Sequence, residues 1–199
     1  MVSDPVLPTP FYLSDRAHLN FAEEARKAFA FLGDLGFSEI EALPTLVRYR
    51  KGSVEVDVYH GRQSYEIGAG VTAFGTRYAI SEIIRHKEPE FAKRYHYAAA
   101  TTPEGVIAGL EELSALMKRY GRPALDGDPK LFSTLESERR YWSEGYALDV
   151  LADQLRPQAD EAFRQRNYAK AAELYSRIRE RLSTAEVKKL SIAEERCKD

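Results

Sequence analysis

Cysteine and tryptophan are nearly missing from this 199-residue chain, which holds one of each, Cys197 and Trp142. A single thiol excludes an internal disulfide framework and fits a reducing compartment. Cys197 stands close to the C-terminus, where chain ends hold geometry badly, so it is a poor nucleophile. An excess of charge is missing as well. Lys and Arg number 29 and Asp and Glu 31, a formal net charge of −2, without the basic surplus of a dedicated nucleic-acid binder. No apolar run approaches the roughly 20 residues of a membrane span. The opening MVSDPVLPTPFYLSD has neither the basic nor the apolar region of a signal peptide. The expectation is a cytoplasmic protein, with no membrane or nucleic-acid partner, that begins with a short extended arm.

The usual catalytic signatures are also lacking. There is no GxSxG, HExxH or paired CxxC, and GAGVTAFG at 68–75 has glycines without the Lys-Ser/Thr of a phosphate loop. In RHKEPEFAKRYH, Pro89 interrupts any common helical face for His86, Glu88, Glu90 and His96. The four histidines, His18 and His60 included, therefore read as solvated or capping groups, and no metal or other cofactor is expected.

What is present is the material of a packed protein: 44% apolar and 30% charged residues, enough chain for a real core. NFAEEARKAFAFLGDLGF predicts a helix capped by Asn20 with Glu23, with Phe21, Ala25, Phe29 and Leu32 on one stripe and Gly36 at its end. VRYRKGSVEVDVYHGRQSYEIGAG then predicts three antiparallel strands joined by two-residue turns at Lys51-Gly52 and Gly61-Arg62. That register pairs Tyr49 with Val54, Val47 with Val56, and Val58 with Tyr65, all on one side. It places Arg48 opposite Glu55, a favourable pair, and Asp57 opposite Glu66, an unfavourable one. The strand can run on through VTAF to a short helix carrying Ile80, Ile83 and Ile84.

Further on, Thr101 with Glu104, or Thr102 with Pro103, starts a helix that Gly121 and Pro123 stop, and Asp128 with Pro129 opens another. From there strand signals vanish. The chain is therefore expected to be α+β: residues 1–125 form an antiparallel three- to four-stranded meander packed on helices, and residues 126–199 an all-helical part packed on it.

The outward face of the meander would carry Arg48, Arg50, Glu55, Asp57, Tyr59 and Glu66, and these with Trp142 are the candidate binding residues for a protein partner. Trp142 stands in RYWSEGY beside Tyr141 and Tyr146, residue types favoured at interfaces. Closely set carboxylates can also share a proton and work as an acid–base pair, so a hydrolase using Glu55, Asp57 and Glu66 is an alternative.

Two resemblances sharpen this. ADEAFRQRNYAKAAELYSRIRERLSTAEVKKLSIAEER resembles a tetratricopeptide repeat. Ala159, Ala162 and Phe163 match its first helix and Tyr168, Ala171 and Tyr175 its second, while Ala193 falls 34 residues after Ala159. Arg166 stands where that repeat commonly has glycine, and Ser183, which reads with Glu186 as a capping box for the last helix, where it has proline. With only about one and a half repeats, the segment is expected to be a hairpin that leans on the rest of the protein, or an adaptor that grips a peptide. The layout of FAFLGDLGF, the three-strand segment and TPEGVIAGLEELSALMKRYGRPAL resembles small bacterial immunity-type proteins encoded beside polymorphic toxins. That resemblance implies a non-catalytic protein that occludes a toxin through the charged sheet face or the helical part. Nothing in the sequence sets the oligomeric state.

Overall fold

A computed structural model describes residues 16–197; the Pro-rich arm expected before them lies outside the described residues. The architecture is α+β, with a five-stranded antiparallel meander and a helical C-terminal part. The chain divides into two compact units at the Leu135/Glu136 boundary, which falls within one long helix.

In the first unit, the segment expected to be one helix is two: α1 (Phe21–Ala28) and α2 (Phe31–Asp34). The break has a tertiary cause. The Ser114 hydroxyl donates to the Ala28 carbonyl at 2.6 Å, and the Leu32 amide turns to Phe29 instead. The apolar stripe survives the break, with Phe21, Ala25, Phe29 and Leu32 all buried. Asn20 is not the expected cap: it sits in the left-handed region at φ 54° and only bonds Glu23 through its side chain. At the far end Gly36 takes φ +86°, and the Phe37 amide donates back to the Leu32 carbonyl at 2.9 Å, closing a Schellman turn.

The strands follow as β1 (Ser38–Leu43), β2 (Leu46–Lys51), β3 (Val54–His60), β4 (Ile67–Ala73) and β5 (Thr76–Ala79), each paired with its sequence neighbours. Both expected registers need correction. The first turn is Gly52-Ser53, with Gly52 at φ +57°, so Tyr49 meets Val56 and Val47 meets Val58. The second connection is six residues long, from 61 to 66, so Val58 meets Ala69 and Val56 meets Val71. Tyr65, expected opposite Val58, takes φ 57° and lies 4.1 Å beneath the Arg16 guanidinium. Arg16 holds this loop by donating to the Gly61 and Arg62 carbonyls. Both displacements are even numbers of residues, so the inward set is unchanged: Val47, Tyr49, Val54, Val56 and Val58 are all buried.

His60 is not solvated as expected. It ends β3 on the inward side, 2% exposed, its ring stacked 5.7 Å from Phe21. Its Nε2 donates to the Ala100 carbonyl at 2.8 Å, and its Nδ1 accepts from Arg16 at 3.1 Å. Burial, followed by the Arg16 charge, pushes its pKa below the ordinary value, although the Ala100 bond acts the other way.

α3 (Ile80–Lys87) buries Ile80, Ile83 and Ile84 beneath β4 and β5, and the short α4 (Pro89–Ala92) follows. The long α5 (Pro103–Tyr120) packs on α1 and β4, capped by Thr102, whose hydroxyl accepts from the Gly105 amide at 3.2 Å. Gly109 lets it approach the sheet: a Cβ there would stand 2.7 Å from Ile67 Cδ1. Gly121 ends the helix in right-handed geometry and leads straight into α6 (Arg122–Leu125). Asp128 then starts α7 (Pro129–Arg164), accepting from the Lys130 amide at 2.9 Å. The first turns of α7 complete this core with Leu131, Phe132 and Leu135.

The second unit has its own core. Ala152, Leu155, Ala159 and Ala162 of α7 meet residues of α8 (Tyr168–Arg177) and α9 (Thr184–Arg196), among them Tyr175, Leu190 and Ala193. This is the expected helical hairpin. The Ser183–Glu186 capping box that opens α9 is formed, with bonds of 2.7 and 3.3 Å. Arg166 closes α7 at φ 60°, a conformation in which a side chain is strained. Among the described residues no helix is long and apolar enough to cross a membrane.

Candidate functional site on the polar face of the sheet

The period of two along each strand places one side chain inward and the next outward, and the ladder pairs gather the outward ones into a single field. Across it run Glu41 on β1, Arg48 and Arg50 on β2, Glu55, Asp57 and Tyr59 on β3, Gly68, Gly70 and Thr72 on β4, and Arg77 on β5. Each strand-borne acid has its own arginine. Arg48 bonds Glu41 at 2.9 Å, Arg50 bonds Glu55 at 2.6 Å, and Arg77 grips both oxygens of Asp57 at 2.8 and 2.6 Å. At the edge, Arg26 of α1 reaches Glu39 bidentately at 2.8 and 2.9 Å and holds its carboxyl below the usual range.

Glycine builds the floor of this face. A Cβ on Gly68 would lie 2.4 Å from the Tyr59 ring, and one on Gly70 would lie 2.5 Å from the Arg77 guanidinium. Without them the phenol and the guanidinium lie flat on the β4 backbone, with the Arg77 guanidinium carbon 5.5 Å from the Tyr59 ring centre. The Asp57 bond raises the pKa of Arg77, and burial raises that of Tyr59. Beside them opens a groove of about 470 Å³, lined by Leu46, Arg48, Asp57, Tyr59, Thr72 and Arg77.

Five of the seven sequence-predicted site residues, Arg48, Arg50, Glu55, Asp57 and Tyr59, share this face. The other two do not join them on the ladder. Glu66 precedes β4 and bridges to Ala99, so the expected Asp57–Glu66 opposition is not formed; Asp57 faces Gly70. Glu66 still acts electrostatically on Tyr59. Glu55 and Asp57 thus share the face and both border the groove, each tied to an arginine, while Glu66 stands apart before β4. Trp142 belongs to the second unit, 55% exposed.

The sequence reading missed Arg77. It takes GAGVTAFG as a strand whose small residues allow close packing, which holds, without naming Tyr59 and Arg77 as the side chains that use the room. The available signal was two glycines at alternate positions of a strand, in step with the charged residues of its neighbour.

The chemistry of metal binding finds little to work with among the described residues, where no group of three or more His, Cys, Asp or Glu could hold an ion. Glu88 accepts from Tyr120 at 2.5 Å and Arg119 at 3.1 Å, Glu90 from Lys93 at 2.6 Å, and His96 Nδ1 donates to the Arg94 carbonyl at 2.9 Å. Comparison with protein-family profiles, with curated proteins and with solved structures returns no match to this chain.

Proposed function

We propose that this chain is a non-catalytic protein-binding protein of the immunity type, occluding a bacterial toxin through the polar face of its sheet. The observation that carries the reading is the Asp57–Arg77 pair laid over Gly70, with Tyr59 laid over Gly68, on a sheet whose other side is the core. Side chains held in place before encounter lose less entropy on binding than free ones. A field of alternating charge steers association and penalises mismatched partners. As a second reading, the end of α7 with α8 and α9 forms one and a half tetratricopeptide-like repeats. It is supported by Arg166, left-handed at the position where that repeat commonly has glycine.

The test is protection. A toxin encoded beside the gene is expressed with and without this chain, and growth is scored for wild type, Asp57→Ala and Gly70→Ala. The wild type is expected to rescue growth. Both variants are expected to bind about 10- to 100-fold more weakly, the range of a lost interface anchor. A neighbourhood without any toxin gene, or undiminished rescue by both variants, overturns the proposal.

A further inference from the structure

A second surface lies on the helical unit and rests on different residues. α7 contributes no buried residue between 136 and 151, and within that stretch Tyr141, Trp142 and Tyr146 are 74%, 55% and 73% exposed. Three large aromatics within six residues are costly to leave in water unless something covers them. Tyr141 and Trp142 stand nearly at right angles, ring centres 6.2 Å apart at 79°. They line a groove of about 520 Å³ with Tyr146 and Leu148, closed on its far side by Glu180 and Arg181.

The polar lining has a sign. Glu144, Asp149 and Glu180 face the groove against a single cation, Arg181. Arg181 is already engaged, donating to Asp149 at 2.5 Å and to the Gly145 carbonyl at 3.4 Å. Glu144 and Glu180 make no ion pair among the described residues, although Glu180 acts electrostatically on Arg181, so the groove carries net negative charge beside aromatic faces. Gly145 is a further oddity. A mid-helix glycine is unfavourable relative to alanine. Yet a Cβ here would meet nothing closer than Arg181 at 3.6 Å, ordinary contact. Packing within the chain does not require it; a ligand approaching the helix backbone would.

Aromatic faces set at an angle, with carboxylates at the rim, are complementary to a cation on an aliphatic stem. We infer that this groove binds a basic segment of a partner protein, seating a lysine or arginine side chain against Tyr141 and Trp142 with Glu144 and Glu180 balancing its charge.

Trp142 is the only tryptophan, so its emission in the full chain reports on the groove directly. The probes are short synthetic peptides carrying lysine or arginine in a Gly/Ser background, with Gln and Glu peptides of the same length as controls. The basic peptides are expected to shift Trp142 emission saturably and in a salt-dependent way, and the controls are not. The Glu144→Gln/Glu180→Gln double variant and Tyr146→Ala, both at exposed positions, are each expected to weaken binding about five- to tenfold. Four results would each overturn the inference. These are no saturable shift up to about 1 mM peptide, an equal response to the Gln peptide, unchanged affinity in the double variant, and an emission shift that follows protein concentration without peptide, which would mark a second copy as the occupant.

Discussion

Lowering the pH should weaken the first unit through one imidazole, His60. Its neutral form satisfies both ring nitrogens, one donating to Ala100 and the other accepting from Arg16. A proton on Nδ1 would remove the acceptor and set two cations 3.1 Å apart in a site closed by Phe21 and Tyr65. The folded state therefore resists protonation, whereas the unfolded chain takes up the proton near the ordinary value of 6.5. With the folded pKa the lower of the two, the unfolded state binds more protons as the pH falls below that value. Stability is thus full above it and declines as the pH drops toward the folded pKa.

The loss between about pH 7.5 and about pH 5.5 is at most about 1.4 kcal/mol, one proton over two decades centred on the unfolded value, reached when His60 stays neutral in the fold throughout. Tm should fall over that interval by no more than about 3–5 °C. Urea melts for the free energy and thermal melts for Tm, both followed by far-UV circular dichroism, measure it, with His60→Gln as the comparison because glutamine keeps a donor and an acceptor without titrating. The difference between the two proteins removes the contribution of the other histidines. An identical pH dependence in the variant, or a His60 ring resonance titrating at the ordinary value, would refute the account.

Ser114→Ala should destabilise the first unit by about 1–3 kcal/mol, because the Ala28 carbonyl loses its donor at the break between α1 and α2, and urea melts read the change. A neutral result would mean that water or a rejoined helix supplies the bond. Arg166→Gly should stabilise the second unit by about 0.5–1 kcal/mol, since glycine adopts the left-handed conformation without strain but loses more freedom on folding. Hydrogen exchange in α8 and α9 would register slower opening, and faster opening would contradict it.

Much of this was legible in the sequence, for reasons that differ from place to place. The two faces of the sheet followed from alternation alone, because an even slip leaves every valine inward. The register did not follow, because it depends on which residues adopt unusual backbone angles. Gly52 fits a turn with either Lys51 or Ser53 as its companion, and the 61–66 connection is held by Arg16, which is distant in sequence. The Asp57–Glu66 repulsion was an artefact of that slip, and the true partner, Arg77, comes from a strand whose four residues give too short a pattern to read. The break after α1 was illegible because its cause, Ser114, lies 86 residues along the chain. Caps were clearer: Thr102, Asp128 and Ser183 act on amides within three residues of themselves.

Because each strand bonds only to its neighbours in the chain, the sheet needs no long-range search to assemble. It can be laid down hairpin after hairpin in the order in which the ribosome delivers it, the regime of short loop closures and rapid folding. The apolar side of that growing ribbon, already met by α1 and α3, then waits for α5 and the first turns of α7 to return to it. The interval before that return is when the nascent chain most needs protection from its neighbours.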